Sequence, residues 1–154
     1  MDARFLTVFL AVSFASFLQG TPFAAIFGVK VGFVLAAVFF AAFFVPSFSW
    51  YCAVAVLSVA LIVIPSGSFS VAVPLLIVFL AGYLVRRAAS WQPWLSYPAL
   101  LFAATFLLYG LIDVHFLVAH PEIILREGAY TAIFGVVLYL FIAIPHDVSR
   151  RHTF

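Results

Sequence analysis

Long apolar runs fill this chain and are interrupted at short intervals by proline, glycine and small groups of charge. Read as helices, they predict six membrane crossings over residues 4–19, 29–45, 50–64, 71–85, 97–118 and 129–144. About 20 apolar residues cover a hydrocarbon core of about 30 Å, so the chain has room for those crossings and little else. Residues 23–28 are too few to cross and too apolar for a solvated loop, which places them at the interface. Proline supports the divisions, because inside a helix it removes a hydrogen bond that lipid cannot replace. Pro22, Pro46, Pro65, Pro93, Pro98, Pro121 and Pro145 fall at proposed ends, and Pro74 fits a first helical turn, where its missing amide is not needed.

Composition agrees with the pattern: 154 residues, 68% hydrophobic and only 8% charged. The expected class is an all-α integral membrane protein forming one membrane domain. With so few ionisable groups, the net charge of +2 informs orientation and gives no reason to expect nucleic-acid binding. The charged start, Asp2 and Arg4, followed by an apolar run resembles a signal peptide. However, Gln19-Gly20-Thr21-Pro22 is not a small-x-small cleavage pattern, so a retained first helix is expected. Cys52 is the single cysteine, so no intrachain disulfide can form.

Orientation follows from the basic residues. Arg86 and Arg87, with Trp91 and Trp94 close behind, mark a loop at the cytoplasmic bilayer surface, because arginine is retained inside and tryptophan favours the headgroup layer. With both termini inside, Arg4, Arg150 and Arg151 join them, leaving Lys30 and Arg126 on the outer side. Lys30 can snorkel from its helix end to the headgroups.

Small residues four apart permit close helix approach. Gly32 with Ala36, Ala37 with Ala41, Ala99 with Ala103, and Gly128 with Ala132 have that spacing. Packing within the chain is the leading expectation for them; a partner seam at Gly32, Ala36, Gly128 and Ala132 is the alternative.

Few residues offer chemistry. Asp113 is the one carboxylate inside a proposed span, with Tyr109 one turn earlier as a hydrogen-bond donor and His120 two turns later near the same face. This group reads either as a proton or cation site or as a polar packing site near the outer surface, with packing preferred. His115 points elsewhere, and its spacing from His120 misses the i, i+4 geometry of a metal pair, so no metal is expected. The segment His120-Pro121-Glu122-Ile123-Ile124-Leu125-Arg126-Glu127-Gly128 predicts a short interfacial helix, with Glu122 and Arg126 spaced as an ion pair. No nucleophile-base set or phosphate loop is present, so neither an enzyme nor a cofactor is expected.

The overall layout resembles the rod shape-determining protein MreD family. The resemblance rests on a first helix ending at Leu18-Gln19, an apolar connector, the span over residues 31–45 and the turn Ser66-Gly67-Ser68. It continues through Leu80-Ala81-Gly82-Tyr83-Leu84 before the basic loop, Asp113 late in the fifth helix, and a close at Arg150-Arg151. Ile62-Val63-Ile64-Pro65 departs from the acidic residue often found there in that family. The resemblance implies a non-catalytic scaffold of the bacterial inner membrane that supports peptidoglycan elongation and binds the membrane-anchored partner MreC. It also implies a six-helix bundle similar to substrate-binding subunits of energy-coupling-factor transporters. The alternative function is therefore a transporter subunit, with Asp113, His120, Glu122 and Tyr130 lining a small-molecule pocket. A proton-coupled channel subunit ranks last.

Overall fold

The most uniformly apolar stretch of the chain, FVLAAVFFAAFF, forms the central helix in a computed structural model that describes residues 3–19, 21, 25–26, 29–45, 47–67, 69–88 and 93–150. A helix apolar on every side suits either lipid or a bundle interior, and the small residues Ala36, Ala37 and Ala41 let neighbouring helices approach this one closely. This one, α2 (Phe33–Phe44), packs against α1 (Ala3–Gln19), α3 (Phe48–Ser66), α4 (Ala72–Ala88), α5 (Pro93–Ile112) and α7 (Pro121–Arg150). Ala36, Val38 and Ala41 are fully buried, and the run from Val34 to Ala41 is buried throughout.

The surrounding helices each give one face to this centre and another to the outside. On α4 the inner residues are Leu75, Val78, Phe79, Gly82 and Tyr83, a helical spacing, while Val73, Ile77, Leu80 and Leu84 are exposed. An apolar outer face is unfavourable in water and natural in lipid. Three stretches, Phe69–Ala88, Leu95–Ile112 and Pro121–Phe141, are helical, long and apolar enough to cross a membrane. Only 28%, 28% and 22% of these windows are buried, so most of their surface is apolar and outward-facing, which fits a helical membrane protein. Helices α1, α2 and α3 contribute shorter apolar stretches. At 12 residues, α2 is about 18 Å long, well short of a bilayer core.

Several local expectations change. Part of the apolar connector pairs as a two-residue antiparallel ladder, β1 (Ala25–Ile26) with β2 (Val29–Lys30), Ala25 facing Lys30. The α5 helix begins at Pro93, so Pro98 lies inside it and not at its end. The span proposed over residues 97–118 breaks at Asp113, and α6 (Val114–Ala119) follows as a separate short helix. The final span begins at Pro121, where proline is preorganised for a first turn, so the expected interfacial segment and the last helix are one element. The turn at Gly67 forms as anticipated: with φ 66° it closes α3 by donating its amide to the Val63 carbonyl. A single 3-10 turn, Phe69–Val71, leads into α4.

Candidate functional site

Polar side chains gather where α5, α6 and the start of α7 meet. Asp113 has an extended backbone, and its Oδ1 accepts the amide of Phe116 at 3.0 Å. Aspartate competes well for a backbone amide in this way, so it ends α5 and caps α6. It is exposed, and Tyr109 does not bond to it as the i, i+4 spacing had suggested. The Tyr109 hydroxyl instead donates to Glu127 Oε2 at 2.6 Å, joining α5 to α7 through a half-buried carboxylate. That length belongs to a strong, charge-assisted hydrogen bond.

Glu127 is thus a half-buried acidic residue of the bundle and not part of a separate interfacial segment. With α7 starting at Pro121, it lies about 9 Å into a membrane-length helix. The proline at N1 was the available signal, because it moves the helix start far enough upstream to enclose Glu127.

His120 and Asp113 also separate in role. His120 ends α6, its ring lies 5.2 Å from that of Phe116, and its Nδ1 is 3.8 Å from Glu122 Oε1. Glu122 therefore faces His120, and the ion pair expected between Glu122 and Arg126 does not form. Among the described residues, no three of His, Cys, Asp and Glu converge as a metal site. Asp113, Tyr109 and His120 do not hydrogen-bond to one another, but all three meet Phe116: Asp113 accepts its amide, and the rings of Tyr109 and His120 lie 5.7 and 5.2 Å from its ring.

The cap carries a direct expectation. Asp113→Asn should leave α6 intact, since asparagine caps equally well, whereas Asp113→Ala should weaken it by about 1 kcal/mol. Hydrogen exchange at the amides of residues 114–119 is the measurement, with faster exchange in the alanine variant alone.

Elsewhere the bundle's hydroxyls bond to its own backbone. Tyr51 donates to the Phe79 carbonyl at 2.8 Å, and Tyr97 to that of Ala36 at 2.6 Å. Ser58 and Thr105 donate within their own helices to Val54 and Leu101. At the start of α2, where Gly32 offers no capping side chain, Thr131 Oγ1 accepts the Gly32 amide and Gln19 Oε1 accepts that of Phe33, each at 2.9 Å.

These contacts favour packing within the chain over a partner seam at the same positions. A Cβ on Gly32 would meet Thr131, and one on Gly128 would meet the Phe102 ring, while Ala36 is fully buried. Gly32, Ala36 and Gly128, with the half-buried Ala132 beside them, work inside the fold, where small residues allow α2, α5 and α7 to approach. The Ala99 and Ala103 pair on α5 stays exposed.

A groove of about 200 Å³ lies between the start of α2 and α7, lined by Val31, Phe33, Tyr130, Ile133, Phe134 and Val137. Phe33 and Phe134 meet edge to face in its wall, with centroids 4.7 Å apart. Of the four residues proposed to line a ligand pocket, Tyr130 is here, and Asp113, His120 and Glu122 are not.

The orientation residues are only partly placed. Arg86 and Arg87 occupy the last turn of α4, where positive charge complements the helix dipole. Trp91 and Arg151 lie outside the described residues, as do the side chains of Trp94 and Arg150. Comparison with known protein families, characterised proteins and solved structures finds no match.

Proposed function

We propose that this chain is a non-catalytic scaffold of the bacterial inner membrane, similar in plan to MreD, that binds a membrane-anchored partner such as MreC. In this reading six helices cross, the short α2 being enclosed by its five neighbours and so not required to match the lipid thickness, with both termini and the Arg86-Arg87 loop in the cytoplasm. The carrying observation is the use of the interior polar groups. Tyr51, Tyr97, Ser58, Thr105 and Thr131 hold the bundle's own backbone, while extensive apolar helix surface faces outward. Such an inventory favours recognition through helix faces. The groove also falls below the ~300–1,000 Å³ usual for small-molecule sites, which weighs against the transporter-subunit alternative.

With the Gly32 and Gly128 pairs engaged internally, the exposed Ala99-Ala103 face of α5 becomes the docking surface to test. Thermal unfolding in nanodiscs is followed with MreC in its membrane-anchored form and, separately, with a panel of vitamins and metabolites. Specific binding raises the transition through mass action, by about 2.7 kcal/mol at a hundredfold excess over Kd. A saturable shift with MreC, lost in Ala103→Trp, is the expected result. A shift with one small molecule and none with MreC would overturn the scaffold reading.

A further inference from the structure

The two basic residues assigned by sequence to the side opposite the arginine loop, Lys30 and Arg126, lie far apart in the chain but on adjoining elements of the fold. Lys30 belongs to β2, which packs against α7, the helix carrying Arg126. Val31 follows Lys30 and forms one wall of the groove. On α7, Arg126, Tyr130, Ile133 and Val137 fall within about 60° of one another at 100° per residue, so exposed Arg126 stands above the same groove.

Helical side chains lean toward the N-terminus, and arginine lays its apolar stem along lipid while its guanidinium reaches the interface. The Arg126 charge is therefore directed to the headgroup end of α7, with the groove beginning one turn below it at Tyr130 and running for about 10 Å of helix, as far as Val137. Tyr130 adds a phenol at the top of this apolar channel. Glu122, one turn above Arg126, is the opposing charge nearby on this helix face, and it faces His120.

We propose that this face is a binding site for an anionic phospholipid, with one acyl chain in the groove between α2 and α7 and the phosphate at Arg126. The occupant follows from charge and setting together. An apolar channel on a membrane-length helix is covered by lipid chains, and a cation at its mouth selects an anionic headgroup over a zwitterionic one. This inference does not depend on the scaffold reading, since a transporter subunit would carry the same face.

The test uses the full chain in nanodiscs of equimolar phosphatidylcholine and phosphatidylglycerol, with retained lipids counted by native mass spectrometry. Phosphatidylglycerol should be retained in excess. Arg126→Gln should reduce that excess about fivefold, in line with the contribution of one cation at a membrane surface. Arg87→Gln, at the other end of the bundle, should leave this bound lipid in place. Ile133→Trp, filling the groove from an exposed position, should reduce retention of both lipids. Equal retention of the two lipids by the native chain, or an excess unchanged in Arg126→Gln, would overturn the proposal.

Discussion

Tyr97→Ala is expected to destabilise the protein more than any other single truncation considered, by about 3 kcal/mol. Tyr97 is 1% exposed, and its hydroxyl reaches across from α5 to the Ala36 carbonyl in the first turn of α2. Its ring also lies 6.1 Å from Phe40 and 6.3 Å from Tyr139, so one side chain joins α2, α5 and α7. Aromatic-to-alanine changes in water-soluble cores remove about 3–5 kcal/mol. The lower end applies here, because lipid tails replace water as the alternative environment and the loss is mainly of packing. Tyr97→Phe isolates the hydroxyl and should cost about 1 kcal/mol. Unfolding in detergent, monitored for both variants, checks the order. Equal stability of native and alanine forms would contradict the central placement of α2.

The next largest effect concerns glycine, and its sign depends on position. A Cβ at Gly82 would run into the Phe39 ring, and one at Gly135 into Leu101 and Tyr97. Phe39 is 1% exposed and meets Phe79 edge on, so it has little freedom to move aside. Gly82→Ala and Gly135→Ala should each destabilise by about 1–3 kcal/mol through overpacking. Gly110, also helical, has open space at the same position, so Gly110→Ala should stabilise by up to about 1 kcal/mol through helix propensity. Thermal unfolding of the three variants side by side gives the signs directly. A stabilised Gly82→Ala would mean that α2 and α4 do not approach as closely as described.

The polar residues show why the candidate site was harder to read than the helices. Tyr109 and Asp113 have the spacing of neighbours on a continuous helix, yet the aspartate caps a new helix and leaves the tyrosine to Glu127. A local helix-cap bond altered the period on which the spacing argument rested. Likewise, Glu122 and Arg126 are correctly spaced on α7, but the Glu122 carboxylate lies on the His120 side, 3.8 Å from Nδ1.

Sequence by itself determined the predominantly helical, membrane-suited character of the chain, the stop at Gly67 and the basic end of α4. Each depends on residue type and near neighbours: hydropathy, a left-handed turn, a helix dipole. Tertiary structure decided which small residues were covered, which carboxylate received the tyrosine, and how Lys30 and Arg126 came to adjoining elements. The start of α2 makes the difference plain, because Gly32 has no side chain to cap the helix and the two acceptors come from Gln19 on α1 and Thr131 on α7. Their bonds exist only once three helices have met, so no local pattern around Gly32 encodes them.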